Sequence, residues 1–356
     1  MQKKKKTSVS LLLIVISLAL FGLLMIYNAS SFEAFQSFGD KFYYLKNQSI
    51  SLFIAFFGLL ITTFFPLNKI KKLSVPLIII NAILLIMVLL PGVGTKTMGA
   101  RRWINIFGFS VQPTEFLKLT LCIYLAAWLE VKRSIWPFLF LVAGLLFFII
   151  LQPDLGTGII IVITAFLVYF MSGAPIKQLF FISVIGFVLG ILLIFSSGYR
   201  RSRITTFFNP SFDPLGKSYH LRQILISLGS GGFFGVGLGE SKQKYQYLPE
   251  ATTDSIFAVI AEETGFVGSS VLVFVYLIMV FIGLKITKAA NNQFEKLLAA
   301  GITTWLGIQT FINFGAMVSV LPLTGIPLPF ISYGGSSLLA AFLGVGLLIN
   351  ISLNKK

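Results

Sequence analysis

The sequence predicts an all-α integral membrane protein: a bundle of ten transmembrane helices, one large extracytoplasmic loop, and a Pro/Gly-broken segment before the last helix. Two observations carry that reading. Of 356 residues, 56% are hydrophobic and 11% charged, where an average soluble domain carries about 25% charged residues. Mean hydropathy is +0.91. The hydrophobic residues number about 200, enough for about ten crossings of about 20 residues each. A soluble α/β enzyme, a disulfide scaffold and a disordered chain are excluded.

The elements follow in order. Met1-Gln2-Lys3-Lys4-Lys5-Lys6 precedes an apolar run from Val9 to Ile26 that exceeds a signal-peptide core and lacks a small-x-small cleavage site. It reads as a retained first span. Apolar stretches place spans at 9–29, 50–66, 74–90, 113–130, 136–151, 157–172, 179–196, 256–283, 297–319 and 333–351. An even number puts both termini on one side, and the lysine run makes that side cytoplasmic. Lys69, Lys71, Lys72, Lys132, Arg133, Lys177, Lys285, Lys288, Lys296, Lys355 and Lys356 then all fall inside. Such anchors against anionic lipid explain the net charge of +16 without nucleic acid. The chain reads as one polytopic domain, 1–356, with 197–255 as its large outer loop.

Chemistry is restricted to carboxylates, Lys/Arg and hydroxyls. One cysteine, Cys122, allows no internal disulfide or Cys-based zinc site. One histidine, His220, allows no His-cluster metal site and disfavours a His-based triad.

Basic residues on the outer side fall in two places. The loop 197–255 holds Arg200, Arg201, Arg203, Lys217, Arg222, Lys242 and Lys244, and long loops escape the positive-inside rule. Arg101 and Arg102, in a short loop between Gly99 and Trp103, instead suit an anionic headgroup or pyrophosphate. The run Gly229–Gly239 has no preceding strand and is no nucleotide fingerprint. It either lets the backbone fold tightly, packs against a ligand, or is a flexible loop.

A charge at a helix centre costs about 2.5–3.5 kcal/mol on insertion scales, so each buried one needs a reason. Glu115 and Lys118, three residues apart in Gln112-Pro113-Thr114-Glu115-Phe116-Leu117-Lys118, can neutralise each other or line an outward-open cavity. Asp154, in Gln152-Pro153-Asp154-Leu155-Gly156, can cap the next span. Thr253 or Asp254, after Pro249-Glu250, can cap the span that begins at Ile256. Read as one helix, that span puts Glu262 about 12 Å deeper than Asp254, followed by Glu263. Asp254 then lies at the outer surface as a general base in search of a hydroxyl. Pro322–Ser337, with its prolines and glycines, is a re-entrant segment closing the same cavity or a simple outer turn.

The strings Gly99–Lys118, Gln152–Gly156, Asp213–Gly268 and Leu321–Ser337, in this order, resemble the FtsW/RodA/SpoVE family, the SEDS proteins. The resemblance covers nearly the whole chain. It implies a ten-span fold with cytoplasmic termini, located in the bacterial cytoplasmic membrane. It also implies polymerisation of peptidoglycan glycan strands from lipid II beside a class B penicillin-binding protein and other divisome proteins. Under the family pattern the essential aspartate is Asp254, the Glu/Lys pair is Glu115 and Lys118, and the Gln-Pro-Asp aspartate is Asp154. Arg101, Arg102, Glu250 and Ser332 complete the expected substrate site. Gly99-Ala100-Arg101-Arg102-Trp103 and Leu347–Ser352 look more like the division branch than the elongation branch. Two residues depart from the pattern: Thr253 stands where the family usually has His, and Ser255 where it usually has Phe.

The expected chemistry is attack by the 4-hydroxyl of one lipid II sugar on the anomeric carbon of an undecaprenyl-linked glycan. Undecaprenyl pyrophosphate leaves, and the sugar inverts. Asp254 is the base, Arg101, Arg102 and Lys118 are cations for the diphosphate, and Glu115 orients Lys118. No cofactor is required by the sequence; a divalent cation, Mg or Mn, is an optional helper without a dedicated cage. A lipid II flippase and a scaffold that recruits a transpeptidase are the alternatives. Polar residues gathered at the outer span ends favour surface catalysis over translocation.

Overall fold

The computed structural model describes residues 2–97, 100–106, 108–131, 134–211, 213 and 215–354. Gly99, Lys132, Arg133, Lys355 and Lys356, invoked above, lie outside the described residues. In chain order the elements are α1 (Gln2–Phe38), α2 (Tyr43–Phe64), α3 (Leu67–Lys72) and α4 (Ser74–Met87), then strands β1 (Gly94–Thr97), β2 (Ala100–Ile106) and β3 (Phe109–Val111). There follow α5 (Pro113–Trp128), α6 (Ile135–Leu151), α7 (Leu155–Met171), α8 (Ile176–Phe195), α9 (Gly198–Phe208) and α10 (Tyr219–Gly231). The chain ends with α11 (Ile256–Lys288), α12 (Gln293–Met317) and α13 (Gly335–Leu353).

Among the described residues, six helices are long and apolar enough to cross a membrane: α1, α2, α8, α11, α12 and α13. The other four expected spans coincide with α4, α5, α6 and α7, of 14, 16, 17 and 17 residues. Burial separates centre from rim. The apolar window of α12 is 72% buried and that of α8 11%. Helix α12 packs against α5, α7, α11 and α13, so polar groups on α12 are the ones a central site can use.

The region after α4 is a three-stranded antiparallel meander, an addition to the all-helical expectation. Thr95 pairs with Trp103 and Ile104 with Val111. Ala100 and Ile104 point inward, and the β-branched Thr95, Ile104, Ile106 and Val111 suit a pleated, half-buried surface.

The expected continuous span 256–283 is corrected by a break at Gly265, which takes φ 67° and ψ −167°. A continuous helix would hold Phe257 and Tyr276 about 28 Å apart. Both instead contact the ring of Phe314, with centroids at 4.6 and 5.5 Å. Helix α1 gives the direction. Glu263 bonds Asn28 near the C-terminal end of α1, whereas Met279 and Gly283 share a small cavity with Leu11 near its start. The short helix 256–264 therefore runs up α1 and the crossing helix 266–288 runs down it.

The glycine-rich run explains how such a reversal survives. A helix end leaves carbonyls or amides without intrahelical partners. Here Val236 N–H donates to Glu262 O (3.0 Å) and Gly237 N–H to Glu263 O (3.1 Å). Phe266 N–H donates to Gly232 O (2.9 Å) and Val267 N–H to Phe233 O (3.1 Å). One strip of loop caps the end of the short helix and the start of the long one. A Cβ on Gly265 would lie 2.3 Å from Gly235 N, so only glycine lets the strip approach.

Candidate active site

The reversal changes where Asp254 sits. Thr253 O accepts from Ser332 Oγ (2.5 Å) and Thr252 O from Tyr333 N (2.9 Å). The neighbouring Phe330–Ile331 backbone presses on Gly22, where a Cβ would lie 2.8 Å from Ile331 Cα. Gly22 is six residues, about 9 Å of helix rise, below Asn28. Asp254 is thus sunk beneath the polar layer that holds Glu263, not perched on the outer surface as the sequence suggested.

The segment between α12 and α13 is non-helical at that depth, which is tolerated only where protein satisfies its backbone. Gln309 Nε2 donates to Pro327 O (2.9 Å) and Asn313 Nδ2 to Ile326 O (2.8 Å). The Tyr276 hydroxyl donates to Pro329 O, and Leu328 N–H donates to Ser332 Oγ (2.8 Å). Asn313 Nδ2 also reaches Asp254 O (2.9 Å), so one side chain ties the broken segment to the aspartate. Gly325 lies beside the carboxylate, with a Cβ there 3.6 Å from Asp254 Oδ2.

Asp254 does not cap α11. Ser255 is the N-cap residue and no side-chain cap bond exists. Thr253 Oγ1 donates its proton to Glu250 Oε2 at 2.6 Å, and the buried Asp254 carboxylate lies 3.4 Å from that same hydroxyl oxygen. Burial pushes the Asp254 carboxyl up to about 7, and the charge of Glu250 adds to the rise. The Arg203 guanidinium of α9 opposes it. Arg203 also donates to Leu323 O of the broken segment. His220 of α10 stands 2.7 Å from Ser255 Oγ, and burial followed by the charge of Arg203 pushes its imidazole down to about 4.

The remaining expected residues divide. Glu250 and Ser332 belong to the Asp254 cluster. Asp154 caps α7, accepting from Thr157 N (3.1 Å) and Thr157 Oγ1 (2.8 Å). Its neighbour Gly156 faces Ile326 and Thr324. Arg102 donates to Gln152 O (2.8 Å) and Pro153 O (2.5 Å), and Arg101 to Leu89 O (3.3 Å). Neither arginine pairs with a carboxylate among the described residues. Glu115 and Lys118 lie behind the site, 3% and 2% exposed, so they do not line an open cavity. Lys118 Nζ meets both Glu115 oxygens and Gln309 Oε1, each at 2.8 Å.

Arg203, His220, Gln309 and Asn313 were missed by sequence reasoning. Arg203 was one of seven basic residues in a long loop, and the two amides sat in a run read as apolar. Two amides one turn apart in the same apolar run were the available signal.

Over residues 9–356 the chain matches the FtsW/RodA/SpoVE family, described as cell cycle proteins. It is 41% identical to stage V sporulation protein E of Bacillus subtilis, covering 98% of each chain. It is 38% identical to a protein of Trichlorobacter lovleyi named "probable peptidoglycan glycosyltransferase FtsW", covering 97% of this chain and 93% of that one. A chain from a peptidoglycan synthase complex, whose structure is described as coordinating polymerisation and crosslinking, superposes with a TM-score of 0.78 at 28% identity. That match covers 96% of both chains. The crystal structure of the rod shape determining protein RodA of Thermus thermophilus gives 0.70 at 26% identity, covering 96% of this chain and 95% of that one.

Proposed function

This chain belongs to the FtsW/RodA/SpoVE family of multi-pass membrane proteins, and from that premise we propose how it works as a peptidoglycan glycosyltransferase. Its relatives carry that activity in their names. The observation that carries the mechanism is Asp254: an acid sunk in the bundle, released from capping, with almost no partner and an arginine beside it.

The acceptor's 4-hydroxyl loses its proton to Asp254 as its oxygen bonds the anomeric carbon of the lipid-linked glycan. The bond from that carbon to the diphosphate breaks, and the leaving undecaprenyl pyrophosphate takes the electron pair. A single displacement inverts the sugar, consistent with an α-linked donor and a β-linked product. A base whose pKa lies near the working pH is well matched to this step. Arg203, with Arg101 and Arg102 on the meander side, faces the charge that develops on the diphosphate. Lys118 has all three donors engaged inside the protein, so its part is to hold Gln309, with Glu115 holding Lys118 in turn. Glu250, Ser332 and Asp154 frame the sugar site. A divalent cation is compatible with the diphosphate role.

We read the topology as ten crossings with cytoplasmic termini, 197–255 entering from the outer side and dipping into the bundle at Asp254, and the eighth crossing starting after Gly265. A class B penicillin-binding protein is the proposed partner, supported by the likeness to a synthase-complex chain. Septal wall synthesis is the proposed setting, supported by a family described as cell cycle proteins and a relative named for sporulation. The deciding experiment incubates purified protein with lipid II, with and without a partner transpeptidase, and looks for glycan polymer. Intact partner binding with no polymer in any condition would leave the scaffold reading standing.

A further inference from the structure

At the start of α11 the sequence and the structure disagree over one hydroxyl. Serine is among the best N-cap residues, because its oxygen accepts a free amide of the first turn, a contribution of about 1 kcal/mol. Ser255 holds the N-cap position, yet makes no cap bond. Its fully buried hydroxyl turns instead to His220 Nε2 at 2.7 Å. His220 is the chain's one histidine and lies in the first turn of α10, 35 residues away.

The location gives this diversion meaning. Ser255 is one peptide bond from Asp254, and Ser255 N–H donates to Glu250 O (3.1 Å), closing the turn that carries both acids. Asn313 and Ser332 hold this turn from the bundle side, through Asp254 O and Thr253 O. On the opposite side, the Ser255–His220 contact holds it to α10.

We propose that His220 is a positioning residue for Asp254, acting through the Ser255 hydroxyl to fix the turn that presents the carboxylate to the acceptor sugar. The inference rests on the reading of Asp254 as the base. His220 itself touches neither the carboxylate nor the reacting atoms. The pair forms one hydrogen bond whichever ring nitrogen carries the proton, so an amide of similar reach can replace the imidazole.

The test uses the full-length protein in detergent with lipid II as the probe. His220→Leu, Ser255→Ala, their double variant, His220→Gln and Asp254→Asn are assayed across lipid II concentrations. His220→Leu and Ser255→Ala should each lower kcat about tenfold with KM within about twofold, since small misplacements of a reacting group are costly. The double variant should be no slower than the slower single variant, because both remove the same contact. His220→Gln should recover at least about half the rate lost in His220→Leu. If His220→Leu fails to fold, Ser255→Ala, a smaller change at a buried site, decides alone. Wild-type kcat in Ser255→Ala, losses that multiply in the double variant, or a loss confined to KM overturns the positioning role while Asp254→Asn remains inactive. An Asp254→Asn protein that still polymerises removes the base, and this inference with it.

Discussion

Glu115 and Asp254 are both buried in this bundle and have opposite surroundings. Glu115 has both oxygens on Lys118 at 2.8 Å, and that lysine completes its set of donors on Gln309. Asp254 has one hydroxyl at 3.4 Å and a second acid, Glu250, close enough to raise its pKa. A saturated ion pair stores its charge where nothing can reach it. A carboxylate left almost bare in the same bundle is costly to the fold, and that cost is what makes it a proton acceptor. Gln309 and Asn313 join the two sites: one end of this amide ladder rests on Lys118 and the other on the Asp254 turn.

The largest expected break in this contrast comes from Asp254→Asn. Polymer formation should fall by about 10²–10⁴-fold, the usual contribution of a general base. Stability should move the other way. The Asp254 carboxyl titrates at about 7 in the folded protein against an ordinary 3.8, so the folded state holds an extra proton between those values. Wild-type stability therefore falls as pH rises from about 4 to about 7, and that decline should be absent from the variant. Thermal unfolding at pH 5 and pH 8 measures it. A variant equal to wild type in both activity and its pH slope would make Asp254 an ordinary turn residue.

A pH profile sharpens the same point without mutation. Because the base must be ionised, kcat/KM should climb through a midpoint near 7. A profile flat from pH 5.5 to 8 would mean that no group like Asp254 gates the reaction.

The paired site predicts a different pattern. Glu115→Ala leaves Lys118 buried and uncompensated, at a cost of about 3–5 kcal/mol. Glu115→Leu with Lys118→Met should recover most of that stability, as replacement of a whole pair often does. The double variant should nonetheless polymerise about tenfold more slowly, because Gln309 has lost a partner that holds it under Pro327. Full activity would confine the pair to charge neutralisation.

Asn313→Ala should slow the reaction least of these variants. It orphans the carbonyls of Asp254 and Ile326, worth about 1–3 kcal/mol each when buried. Unfolding temperature should drop, and kcat should drop with it. A drop in temperature alone would separate the ladder from catalysis.

The legible part of this protein was whatever hydropathy and charge announce. Apolar runs located the helices, and the rarity of acids in them singled out Glu115, Asp154 and Asp254. The reversal at Gly265 was not legible, because apolar residues continue on both sides of it and glycine is common inside membrane helices. Reading the two sides as one helix put Glu262 below Asp254 when it lies above. The meander was hidden behind the expectation that short outer connections are coil. The expected cap, Thr253 or Asp254, was misplaced: Ser255 takes the N-cap position, and its hydroxyl turns to a histidine 35 residues distant.

The folded-back helix also has a mechanical consequence. Residues 256–264 form a short strut with a stiff, hydrogen-bonded shaft and a fixture at each end. The lower fixture is the Asp254 turn. The upper one is a clamp in which Lys244 Nζ meets Asn28 Oδ1 (2.7 Å) and Glu263 Oε1 (3.5 Å), while Ser241 Oγ meets Glu262 Oε2 (2.6 Å). The pivot, Gly265, lies beyond the clamp, on the side of the lipid-facing helix. The clamp and the Asp254 turn are thus the two ends of one short helix, each held by side chains from other elements.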